Sequence, residues 1–190
     1  MIIFVILYIQ ILILMTKRLT SKLYIFLLLI VIIGIFSCSK EKEYPIFPVI
    51  EYKSFFYDNA TQKGNMVIGF TDGDGDIGLY SNQIYPPYDT TSIYHYNFYI
   101  NIQEKINGSF VPFVIFNQIT QQYDTVTFKY RIPYIEPVSA NGSLKGELST
   151  KLDIDLMLPF LNSDTIRFEA YIFDRKLNKS NIIVSSEIIF

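Results

Sequence analysis

Apolar residues divide this chain into two unlike parts. As far as Phe36 they come in long unbroken runs, and beyond Cys38 they recur at every second position. Leu144, Leu148, Leu152, Ile154, Leu156 and Leu158 share one parity, with Lys145, Glu147, Ser149, Lys151, Asp153 and Asp155 on the other. A period of two sends side chains alternately to the two faces of a sheet. Residues 144–158 therefore predict one half-buried strand or two bent ones, with Gly146 suited to a bulge. Val126, Phe128, Tyr130 and Ile132 alternate with polar neighbours in the same way, as do Ile166, Phe168, Ala170 and Ile172. Further strands are predicted over 49–57, 65–70, 92–103, 109–116 and 181–190. Asp58-Asn59, Lys63-Gly64, Asn107-Gly108, Asn141-Gly142 and Asn162-Ser163-Asp164 supply turns. About eight antiparallel strands at this spacing predict an all-β sandwich over 49–190.

The apolar runs before Cys38 have a different meaning. Lys17, Arg18 and Lys22 precede an apolar core from Leu23 to Gly34, and Ile35-Phe36-Ser37 lead to Cys38, the one cysteine of the chain. A basic segment, a short apolar core and a small residue before a cut site is the order of an export signal. From Leu23 to Phe36 a helix would span roughly 21 Å, short of the ~30 Å hydrocarbon core. Ile35-Phe36-Ser37-Cys38 resembles the lipobox of bacterial lipoproteins, with Phe36 unusual at its middle position. The resemblance implies that Cys38 carries acyl chains on its sulfur and amine and becomes the mature N-terminus. Two or more chains make a stable membrane anchor. Residues 1–14 are apolar and precede the basic cluster, the wrong order for a signal. They read as an extension upstream of a start at Met15, the alternative being a membrane hairpin of two short helices. The signal is then 15–37, and 38–48, charged and proline-bearing (Pro45, Pro48), reads as a lipidated tether. Ser39-Lys40-Glu41-Lys42-Glu43 partly resembles the signals that carry lipoproteins of Bacteroidota to the cell surface. A plain solvated tether would look the same, so surface and periplasm both stay open for this outer-membrane lipoprotein.

Charge narrows the partners. After Cys38 stand 13 basic residues against 18 acidic, a net of −5, which excludes a phosphate-neutralising stripe and with it nucleic acid. Thirteen Phe and thirteen Tyr in that part supply a core without any internal disulfide.

The stretch from Phe168 to Asn181, in which Asp174 closes one strand and Asn178, Ser180 and Asn181 open the next, resembles the last hairpin of bacterial immunoglobulin-like domains. The resemblance implies an immunoglobulin/fibronectin-III-like β-sandwich. Asp174 is expected to accept backbone N–H bonds across the turn, and Asn178 to take its left-handed position. Leu177 stands where those domains usually carry Gly.

One stretch has the makings of chemistry. In Thr71-Asp72-Gly73-Asp74-Gly75-Asp76-Ile77-Gly78 three carboxylates alternate with glycines that let the backbone curl round a hard cation such as Ca²⁺. The spacing copies the opening of an EF-hand loop and then leaves it. Ile77 stands where Gly is required, Gln83 where a bidentate Glu is required, and the flanking Met66, Ile68 and Phe70 have strand parity. A distant carboxylate would have to complete the shell, and Asp58 and Asp174, both at strand ends, are the candidates. A plain Asp/Gly turn is the competing reading, although a turn alone does not require three repelling charges. The phrase from Phe70 to Gly78 also resembles one found in lipoproteins of Bacteroidota.

No Gly-x-Ser-x-Gly elbow or phosphate-binding loop occurs. The one histidine, His95, lies on a Tyr/Asn-rich stretch, and Asp153 and Asp155 share the polar side of their strand, a solvated face more readily than a glycosidase pair. The chain thus reads as a non-enzymatic envelope protein with a binding or structural role. The alternatives are a glycan- or peptide-binding accessory of nutrient uptake, through the aromatic loop of Tyr80, Tyr85 and Tyr88, and, further off, a glycosidase.

Overall fold

The computed structural model describes residues 43–139 and 141–190. The extension, the export signal, Cys38 and the first residues of the tether lie outside the described residues. Among the described residues no helix is long and apolar enough to cross a membrane.

The fold is all-β and its sheets are antiparallel. β1 (Val49–Asp58) and β2 (Lys63–Asp72) form a hairpin, and β8 (Leu144–Leu152) pairs with the far side of β2, giving a sheet in the order β1-β2-β8. A second sheet is built on β3 (Phe98–Ile106) and β9 (Thr165–Ile172). β4 (Ser109–Pro112) and β7 (Thr127–Tyr130) lie end to end along the free side of β3. β10 (Ile183–Val184) and β11 (Ile188–Ile189) do the same along β9. β5 (Val114–Asn117) and β6 (Gln122–Thr125) pair only with each other.

Both sheets bury their apolar parity in one core. Ile50, Met66, Ile68 and Phe70 of the first sheet meet Ile100, Ile102, Phe168 and Ile172 of the second. The Phe55 and Phe168 rings stand 5.1 Å apart across that core. Each such side chain contributes about 1.5–3 kcal/mol, and together they offset the ordering of a chain without disulfides. The β3–β4 hairpin turns on Asn107-Gly108, both at positive φ (50° and 80°), the geometry that matches the twist of the flanking strands.

Several predicted strands are shorter than the alternation suggests, for local reasons. Residues 92–97 are turns, because Asp89 and Ser92 side chains capture the amides of Thr91 and Tyr94 (3.1 and 3.0 Å). The predicted strand over 109–116 breaks at Phe113, which swings inward to 1 % exposure between β4 and β5. The run over 144–158 ends at Leu152. Beyond it the amides of Met157 and Leu158 both donate to the Ile154 carbonyl (2.7 and 3.1 Å), and Pro159 sits in a 3-10 turn. Leu156 is left exposed.

The last segment, predicted as one strand, is two short ones joined through serine hydroxyls. Ser180 Oγ accepts the Ile172 amide (3.0 Å) and Ser185 Oγ the Phe168 amide (2.9 Å), each standing in for a ladder carbonyl. The Asn181 carboxamide accepts from Ile50 N (2.8 Å) and donates to Ile50 O (2.9 Å), so it imitates one residue of backbone beside β1.

Candidate metal centre

β2 carries its alternation to Asp72, its last residue, which pairs with Leu144 of β8 and is fully buried. The glycines that follow are required where they stand. A Cβ on Gly73 would lie 2.3 Å from the Tyr44 carbonyl oxygen, and one on Gly75 (φ 64°) 2.0 Å from that of Gly142. With those contacts open, the chain curls so that the Asp76 amide donates to Asp72 Oδ2 (2.7 Å). Ile77 then bridges to Asp174, just past the end of β9.

Asp174 is fixed from its own hairpin. Its Oδ1 accepts the Asn178 amide (2.7 Å) and its Oδ2 the Asn178 side-chain amide (2.8 Å), as the sequence predicts for a turn-closing Asp. The left-handed residue of that turn is Leu177 (φ 69°) and not Asn178, which is held by its two bonds to Asp174. The amide of Arg175 closes the seam by donating to the Asp76 carbonyl (3.1 Å).

Three carboxylates therefore converge: Asp72 (0 % exposed), Asp76 (6 %) and Asp174 (1 %), each with an oxygen within 4.8 Å of the others. Ligand oxygens this close together could share one metal ion. Asp72 Oδ1 and Asp76 Oδ1 are buried with no hydrogen-bond partner among the described residues. Leaving such oxygens unpaired is costly, and a hard cation satisfies them at once.

The electrostatics agree with the geometry. Burial pushes Asp72 up to about 7, with the charges of Asp76, Asp74 and Asp174 adding to it. Burial and the Asp174 charge push Asp76 up to about 6, against the pull of Lys176 and Arg175. Asp174 is raised as well, chiefly by burial, with its bonds to Asn178 opposing. Shared burial and mutual repulsion favour the protonated forms, an effect that a bound cation would oppose.

Two of the sequence-predicted ligands fall elsewhere. Asp74 stands at the rim, where Oδ2 pairs with Lys176, while its Oδ1 is buried and unpartnered among the described residues. Its charge still acts on all three acids. Asp58 is not a ligand of this group. It caps the β1–β2 turn through Ala60 N (2.9 Å) and Thr61 Oγ1 (2.7 Å), and it lies opposite Lys63. Lys63 and Asp72 are the two ends of β2, some 30 Å apart at ~3.3 Å per residue.

The aromatic loop is also rearranged. Tyr88 is buried at 8 % exposure and its hydroxyl donates to the Arg175 carbonyl, so it supports the acidic loop and presents no stacking face. Tyr80 is exposed and stacks on Tyr134 (4.0 Å), with the Arg175 guanidinium 4.8 Å from the Tyr134 ring. Tyr85 is exposed. The three do not form one surface. His95 faces the Tyr88 carbonyl (3.0 Å) and the Tyr96 ring, a packing role. Asp153 is paired with Lys63 (2.7 Å).

No protein-family model matches the chain, and no curated protein or solved structure matches it.

Proposed function

We propose that this chain is an exported, lipid-anchored envelope protein whose immunoglobulin-like β-sandwich is closed by a structural Ca²⁺ and serves a non-catalytic binding or structural role. The observation that carries it is the convergence of Asp72, Asp76 and Asp174 from two separate segments, with a buried oxygen on each of Asp72 and Asp76 that has no hydrogen-bond partner among the described residues. Catalytic metals keep a position open to substrate, whereas a cation among acids with 0–6 % exposure is sealed, which favours a structural ion. Calcium is favoured over magnesium because it accepts oxygen sets of variable number and geometry, whereas Mg²⁺ keeps several waters, for which acids of 0–6 % exposure leave little room.

Support for the immunoglobulin-like assignment comes from the strand order. The first, second and eighth strands form one sheet, and the third, ninth and terminal strands the other, with both sheets sharing a core. Export and lipidation rest on Lys17 to Cys38 of the sequence. A fatty-acid analogue is expected to label the wild type, and Cys38→Ser to leave an unlabelled precursor. An unlabelled wild type that keeps residues 15–37 contradicts the anchor without touching the calcium reading, which calcium-dependent melting tests.

A further inference from the structure

We infer that the outer edge of β8 is a docking site for an extended, acidic peptide segment, which adds as a strand and places one apolar side chain between the two sheets. The cation cluster takes no part in this site.

β8 ends the order β1-β2-β8, so one of its sides has no strand neighbour among the described residues. Its polarity can be read from Lys151, whose carbonyl accepts the Tyr130 hydroxyl (2.8 Å) and so points away from β2. In an antiparallel ladder, alternate residues direct both N–H and C=O to the same side. Ser149 and Glu147, two and four residues back, therefore present their backbone groups outward with Lys151. All three are exposed. The Tyr130 hydroxyl holds the Lys151 carbonyl, which leaves the Lys151 N–H and the N–H and C=O of Ser149 and Glu147 for an added strand to pair with.

Beside this edge lies a cavity of about 320 Å³. Phe98, Tyr130, Ile132 and Leu148 form its apolar wall, and Arg131 and Lys151 its charged one. The residues lining it include no carboxylate, and Arg131 donates to the backbone carbonyls of His95 and Gln83. Asp153, nearby at the end of the edge, is engaged by Lys63. The edge's own carboxylate, Glu147, stands outside the recess, so backbone pairing beside an apolar recess flanked by two cations specifies an extended peptide with an apolar residue and carboxylates next to Arg131 and Lys151. A sugar would use the cavity but not the ladder.

The test uses the full chain in nonionic detergent and a fluorescein-labelled eight-residue peptide of alternating Thr and Val, with Leu at its centre and two Asp at each end. Anisotropy should show saturable binding. Replacing the Asp residues by Lys should weaken it at least tenfold, and N-methylating alternate peptide amides should abolish it. Ser149→Pro removes one outward N–H at an edge position that tolerates proline, and should abolish binding with the melting temperature little changed. Lys151→Glu, which leaves the ladder intact, should weaken binding several-fold. Lack of saturable binding at millimolar peptide overturns the inference, as does equal binding of the N-methylated peptide. A dimer detected by light scattering and dissolved by Ser149→Pro would also overturn it, because the edge would then serve a second copy of this chain.

Discussion

Asp72 and Asp76 are held above the ordinary carboxylate range by burial, so the cation-free protein carries its own pH dependence. Their folded values, about 7 and about 6, exceed the unfolded value near 3.8. The folded state then binds more protons than the unfolded state between about pH 4 and 7. The stability this confers is full below pH 4 and is lost as pH rises through 6 and 7. In chelator the melting temperature should accordingly fall between pH 5 and pH 8. Calcium binds the ionised form, so its stabilising effect should grow over the same interval; a calcium effect equal at both pH values would contradict the assignment. Single substitutions sort the acids. Asp76→Asn should remove most of the calcium response, Asp74→Asn only part of it, and Asp58→Asn none, each read as the difference in melting temperature with and without the ion.

At the scale of elements, the terminal hairpin depends on side chains that imitate backbone. Ser185→Ala would leave the buried Phe168 amide without its acceptor, a loss of about 1–3 kcal/mol. That should appear as a lower urea midpoint at unchanged slope; a change under 0.5 kcal/mol would mean that water replaces the hydroxyl. The β1–β2 turn gives a change of opposite sign. Gln62 is exposed and held at φ 56°, a conformation that costs a non-glycine residue about 1 kcal/mol, so Gln62→Asn should raise the melting temperature slightly. The strands with clean alternation, β2, β8 and β9, were legible from the sequence, because a period of two on a half-buried sheet has one meaning. Strand ends were less so, since Asp89, Ser92 and Ile154 redirect the chain through local hydrogen bonds that hydrophobic pattern does not carry. The same gap explains Asp58. Sequence places it at a strand end, but only the hairpin between β1 and β2 sends it to the opposite end from Asp72.

For the molecule as a whole, the proposed cation fastens the β2–β3 loop to the hairpin after β9, two segments about a hundred residues apart in the chain. Asp72, Asp74 and Asp76 were legible as candidate ligands from spacing, and Asp174 from the strand end it closes. Their burial was not legible, because it depends on Gly73 and Gly75 admitting the backbone of Tyr44 and Gly142. A cation that binds only the folded state adds RT ln(1 + [L]/Kd). With Kd in the extracellular range of roughly 10⁻⁴–10⁻³ M, 5 mM Ca²⁺ contributes about 1–2 kcal/mol, or roughly 2–8 °C in melting temperature for a domain of this size. The direct measurement is the melting temperature of the protein at pH 7.5 in 5 mM Ca²⁺, in 5 mM Mg²⁺ and in chelator. A bound Ca²⁺ predicts a rise of several degrees with calcium, a smaller one with magnesium, and loss of most of the calcium rise in Asp76→Asn. Superimposable curves under all three conditions, with Asp76→Asn melting at or above the wild type, would contradict it.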